Sequence, residues 1–109
     1  MSSSTADVKT ATATSVVVTN DTLSVELSDG RTIAAPLAWF PRLAQATAKE
    51  RATWRFIGGG DGIHWPDVDE DIRIENLLSG KPSGESQTSF KKWLAERNSR
   101  RRHDTRRTR

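Results

Sequence analysis

Between Gly58 and Ile72 the chain gathers His64, Trp65 and the carboxylates of Asp61, Asp67, Asp69, Glu70 and Asp71 into one short run behind three consecutive glycines. Residue types of this kind can do three sorts of chemistry. They can hold a divalent cation, pair as acid and base, or present charge to a partner. Asp67, Asp69 and Asp71 have the spacing that opens a calcium loop, but such a loop needs glycine at its sixth position and a bidentate glutamate at its twelfth. Those places hold Ile72 and Leu78, so the calcium-loop reading fails. His64 with two carboxylates would make only a loose divalent site, and the reading is therefore no metal and no cofactor.

Acid–base catalysis would use His64 with Asp69 or Asp71, with Arg42 steadying an anion. The chain has no cysteine and no nucleophile elbow. The third place of a dinucleotide-type glycine fingerprint counted from Gly58 and Gly60 is Ile63. The glycines do not read as a phosphate cradle either, because no lysine or helix start follows them and the acidic run would repel phosphate. No residue is assigned a catalytic role. The structural reading is that Trp65 plugs the core, His64 bonds a carbonyl or carboxylate, and Arg42 pairs with Asp69 or Asp71. The expectation for the acids is that Asp67, Glu70 and one further carboxylate face water as a ridge. Arg42, His64, Asp67, Asp69, Glu70 and Asp71 are thus the candidate contact set for a basic protein partner.

The formal charge of +3 hides a division. Residues 91–109 carry nine Lys or Arg against Glu96 and Asp104, a net of +7, which leaves residues 1–90 at −4. An acidic body cannot hold a polyanion by net charge, but a basic tail can. Arg97, Arg100, Arg101, Arg102, Arg106, Arg107 and Arg109 supply guanidinium groups suited to phosphate, so nucleic-acid binding through the tail is the alternative function. Phe90 and Trp93 could stack bases, but their helical spacing favours burial against the body.

These groups need a frame, and 109 residues provide one domain. Residues 1–13 are Ser, Thr and Ala without apolar periodicity and read as a disordered leader. Ser15–Thr19 is β-branched, and Asn20-Asp21 closes it as a turn. Leu23, Val25 and Leu27 alternate with polar residues, and Asp29-Gly30 supplies a hairpin turn into Arg31–Ala35. Pro36 ends that strand, and Pro41 opens a short helix through Leu43 and Ala46. Ala48–Arg51 adds a helical turn, Trp54–Ile57 reads as a strand, and the run from Gly58 reads as a loop up to a short strand at Ile72–Ile74. Glu75–Leu78 forms a last turn. Residues 81–86 read as a linker. Residues 87–109 follow as a helix with Phe90, Trp93 and Leu94 on one face and a disordered Arg-rich tail from Arg100. The expected class is α+β, a small antiparallel meander with a short helix packed on it, plus a C-terminal helix and basic tail. No disulfide is available and no stretch approaches the roughly 18 apolar residues of a membrane helix, so no membrane partner and a cytoplasmic location are expected.

Two motifs carry a resemblance. Pro36-Leu37-Ala38-Trp39-Phe40-Pro41-Arg42-Leu43, followed by Gly60-Asp61-Gly62-Ile63-His64-Trp65-Pro66 and Asp69-Glu70-Asp71-Ile72, resembles the bacterial domain of unknown function 2442 across about residues 14–80. The positions that match are Trp39, Arg42, Leu43, Gly60, Gly62, His64, Trp65, Asp69, Glu70 and Asp71. The resemblance implies a small α+β domain that begins with a β-hairpin, carries no established activity, and has a suggested link to toxin–antitoxin-like pairs. It implies nothing about the extension after Gly80. The combined expectation is a non-catalytic binding or regulatory module, with an antitoxin-like role as its concrete form.

Overall fold

The computed structural model describes the backbone of residues 11–107 and the side chains of residues 11–100. Most of the expected leader, Arg109, and the side chains of Arg101, Arg102, Arg106 and Arg107 lie outside the described residues. The first sheet is the expected meander, β1 (Ala13–Val18), β2 (Thr22–Leu27) and β3 (Thr32–Pro36), all antiparallel in the order β1-β2-β3. Period two fixes its faces: Leu23, Val25 and Leu27 are buried while the polar residues between them are not. The β2–β3 turn uses Gly30 at φ 94°, a conformation that costs glycine nothing, and the Leu27 amide closes the hairpin on the Arg31 carbonyl at 2.8 Å.

A 3-10 turn (Leu37–Trp39) leads into two short helices, α1 (Pro41–Ala44) and α2 (Ala48–Ala52). Pro41 sits at the start of α1, where its missing N–H is no loss. Thr47 and Glu50 form a capping box on α2. The Thr47 hydroxyl accepts from the Glu50 amide at 3.1 Å, and the Glu50 carboxylate accepts from the Thr47 amide at 2.8 Å.

The second sheet contains β4 (Arg55–Ile57), β5 (Gly62–Trp65) and β6 (Glu70–Arg73), again antiparallel and in sequence order, and α3 (Ile74–Leu78) follows β6 directly. Here the expectation of a loop from Gly58 to Ile72 is corrected. The glycine turn is short, and His64 and Trp65 lie on the central strand of a sheet. Gly62, Ile63 and His64 find ladder partners on both sides and Trp65 finds Glu70 on one, which satisfies a backbone that a loop would leave to water. Gly60 marks where the two sheets meet. Its carbonyl accepts from the Ala13 amide at 2.8 Å, and a Cβ there would stand 2.9 Å from the Ala13 carbonyl oxygen. Only glycine fits so close an approach.

Both sheets and the short helices feed one core. Leu23, Val25, Leu37, Leu43, Ile63, Trp65, Val68 and Ile74 are its largest fully buried side chains. The C-terminal helix α4 (Gln87–Arg107) has 21 residues and lies on this body through its first half. Trp93 packs against the core, and Phe90 stacks beside Trp93 with ring centroids 5.9 Å apart. Within the described residues no helix is long and apolar enough to cross a membrane.

Candidate functional site

The acidic run is a strand-borne ledge. From Val68 to Ile74 the chain alternates: Val68, Glu70, Ile72 and Ile74 are buried, while Asp69, Asp71 and Arg73 are exposed. Asp67 is exposed in the turn before β6. Two-residue periodicity along β6 sends Asp71 outward and Glu70 inward with the apolar set, while Asp67 and Asp69 are exposed in the turn that precedes it. The turn is held from several sides. Trp65 and Val68 are fully buried at its two ends, and the Trp65 indole N–H donates to the Arg51 carbonyl at 3.0 Å. Asp69 takes φ 52°, a left-handed conformation that Asp tolerates better than most residues. Asp61, Asp67 and Asp69 enter no salt bridge among the described residues. Their charge is displayed to solvent on a backbone tied to the core.

Glu70 is a correction. It was expected to face water with Asp67; instead it is only 8% exposed, because it pairs across the sheet with Trp65 on the inward face. Burial pushes its carboxyl up to about 7, and the neighbouring charges of Glu85, Asp71 and Asp69 push the same way against Arg42. It has no hydrogen-bond or salt-bridge partner among the described residues. It lines a small polar cavity of about 80 Å³, walled by β6 and the start of α3 on one side and by Lys81–Gly84 on the other. Those four residues are held as a strap: the Lys81 amide donates to the Asn76 carbonyl and the Ser83 amide to the Trp39 carbonyl, both at 2.9 Å. Phe40, itself buried, also contributes to the lining.

Arg42 is the second correction. It does not pair with Asp69 or Asp71. Its guanidinium meets Glu85, with Nη2 at 2.6 Å and Nε at 2.9 Å from the carboxylate oxygens, and Nη1 donates to the Val68 carbonyl at 3.0 Å. Glu85 approaches side-on and offers both oxygens to the guanidinium, the bidentate geometry that makes such a pair strong. The pairing holds Glu85 below the usual carboxylate range and raises Arg42. His64 bonds Asp71 through Nδ1, which gives the histidine the carboxylate partner expected of it.

A third correction concerns Arg97. It was grouped with the phosphate-binding arginines, yet it is 8% exposed and its Nη1 and Nη2 reach the Glu50 oxygens at 3.0 and 2.6 Å. Arg42 and Arg97 flank Trp93, their guanidinium carbons 5.0 and 5.3 Å from its ring centroid. Cation–π contacts and the Arg97–Glu50 ion pair thus dock α4 on the body, and the Arg42–Glu85 pair ties down the segment just before it. Lys91, Lys92 and Arg100 are exposed on the same helix. Sequence reasoning missed Glu50 and Glu85 as partners. The Thr47-x-x-Glu50 spacing was a readable cap signal, whereas Glu85 sat in a stretch whose Pro, Gly and Ser content reads as a linker.

Among the described residues no group of three or more His, Cys, Asp or Glu side chains is arranged to hold a metal ion. Comparison with known proteins places the fold. A crystal structure of a protein of unknown function from Rhodospirillum rubrum is similar at a TM-score of 0.61 and 22% identity, covering 72% of this chain and 98% of its own. The solution structure of an uncharacterized protein from Chromobacterium violaceum is similar at a TM-score of 0.58 and 22% identity, covering 79% of this chain and 75% of its own. No curated protein matches the chain significantly. Residues 13–83 match the family described as protein of unknown function (DUF2442), and that span holds both sheets, the ledge and all but the last residue of the cavity strap, so the chain belongs to this family.

Proposed function

We propose that the domain is a non-catalytic docking module that recognises a basic protein surface through Asp67, Asp69 and Asp71. The observation that carries this reading is the alternation along the ledge: the outward aspartates are separated by residues locked in the core, so their charge is presented without an ordering cost on binding. Complementary charge on a rigid surface favours fast encounter and rejects acidic competitors. The antitoxin-like form of the proposal is a module that occupies the basic working face of a second protein. The test uses a variant that reverses the ledge, Asp67→Lys with Asp69→Asn, asparagine being chosen because it tolerates the left-handed backbone. Proteins retained by the immobilised wild-type chain at low salt should be lost from the variant, whose thermal unfolding should match wild type. Equal retention by both would refute docking at the ledge.

A second reading has its own observation. α4 continues as a helix to Arg107, ten residues past Arg97, the last buried side chain among the described residues, and Lys91, Lys92 and Arg100 face solvent. A basic helical arm of this kind would contact nucleic-acid phosphates without base preference. Truncation after Asn98 keeps Arg97 and Trp93 while removing Arg100, Arg101, Arg102, Arg106, Arg107 and Arg109. Nucleic-acid binding by the full chain should fall steeply with salt and vanish in the truncated one. Binding that survives truncation would remove the arm from consideration.

A further inference from the structure

Among the described residues Glu70 is the one carboxylate that is more than nine-tenths buried, and it forms no hydrogen bond or salt bridge; it lines the cavity behind the Lys81–Gly84 strap, where its oxygens keep contact with solvent. We infer that this cavity is an anchor site for the cationic head of an arginine or lysine side chain, with the Glu70 carboxylate as its counter-ion. The inference rests on the docking reading above and names the contact that would fix the partner's register.

Size and lining favour a head group over a whole metabolite. About 80 Å³ is well below the 150 Å³ of an engineered cavity that takes up benzene, and it accommodates a guanidinium or ammonium with a water. Asp71 shares the wall and adds negative charge. Asn76 and Ser83 bring polar groups to the same wall. Arg73 and Lys81 also line the opening, but both are exposed and neither forms a salt bridge among the described residues. Arg42 is already engaged by Glu85 and Val68, so it acts on Glu70 only at longer range. Asp71 belongs both to the cavity wall and to the outward aspartates of the ledge.

Cation entry should favour the ionised form of Glu70. The carboxyl sits at about 7 under the combined action of burial, Glu85, Asp71 and Asp69 against Arg42, so an inserted cation should move its titration downward. The experiment follows the Glu70 side-chain carboxyl carbon by NMR through a pH titration of the full chain. It is run in sodium chloride, in tetramethylammonium and in methylguanidinium at equal ionic strength. Methylguanidinium should lower the Glu70 midpoint by about one unit, equivalent to tenfold preference for the ionised state. Tetramethylammonium, which cannot donate a hydrogen bond, should leave the midpoint where sodium chloride puts it. A short peptide with one arginine should reproduce the shift at lower concentration than methylguanidinium if the site takes a partner side chain, and its citrulline counterpart should not. Identical midpoints in all three salts would overturn the proposal and leave the cavity to water.

The two proposals fail separately. A methylguanidinium shift in a chain that retains no basic protein supports the anchor site and sinks the docking module. Retention by wild type that Glu70→Gln leaves unchanged at every pH supports docking at the aspartates and overturns the anchor site.

Discussion

Glu50 and Glu70 are both largely withdrawn from water, yet the protein treats them in opposite ways. Glu50 caps α2 and receives both arms of Arg97, and this partner brings its carboxyl down to about 2. Glu70 has the same chemistry and less exposure, but only distant charges of mixed sign, and it rises to about 7. Burial alone disfavours a charge; burial beside a bidentate guanidinium secures it. The first region is therefore a structural latch that closes α4 onto the body. The second holds a costly group in reserve, which is a pattern expected of a site and unneeded by a scaffold. Trp65 joins the two, since it pairs with Glu70 across the sheet and its indole bonds the residue next to Glu50.

Removing that joint should have the largest effect. Trp65→Ala empties a fully buried position and is expected to cost about 3–5 kcal/mol in chemical denaturation, with both regions lost together. A variant that stays near wild-type stability would show that the latch and the cavity are independent.

The next effect carries the opposite sign. Between pH 4.5 and 7 the folded chain holds a proton at Glu70 that the unfolded chain has released, so stability falls as pH rises through this window. Glu70→Gln should abolish that slope and stabilise the protein by about 2–3 kcal/mol at pH 8, while leaving it little changed at pH 4. A loss of stability at pH 8 would mean that the carboxylate is needed by the fold, and the contrast with Glu50 would collapse.

Arg97→Met tests the latch itself. It should cost about 2 kcal/mol near neutral pH, within the range for hydrogen bonds to charged groups. Glu50 stabilises the wild-type fold above its unfolded value of 4.5, and this is lost as pH falls towards about 2. The variant should lose that acid limb, and amides of α4 should exchange faster while those of β5 do not. Unchanged exchange in α4 would show that Trp93 docks the helix without the ion pair.

Asp67→Lys should do least to the fold, shifting stability by no more than about 0.5 kcal/mol, because the residue is exposed and forms no salt bridge among the described residues. A larger loss in thermal melting would make the ledge part of the scaffold.

Much of this was legible along the chain. Period two in Leu23, Val25 and Leu27, the Asp29-Gly30 turn, Pro41 at a helix start and the apolar face of Phe90, Trp93 and Leu94 are local signals, and local backbone preferences were enough to read them. Trp65 as a core plug was legible too, since a large aromatic in a small domain has few other places to go. The inward parity of Glu70 was present in Val68–Ile74, but it emerges only when β6 is extended back to residue 70. That start depends on the hydrogen bonds of Trp65 across the sheet.

What lay beyond the chain's own order was pairing between distant residues. Arg42 finds Glu85 across 43 positions and Arg97 finds Glu50 across 47. Local patterns specify which face of an element is apolar, because the backbone's period does that by itself. Which cation meets which buried carboxylate, and which carboxylate is left without one, follows from how the elements pack, because electrostatic partnership depends on distance and direction in space rather than on order along the chain.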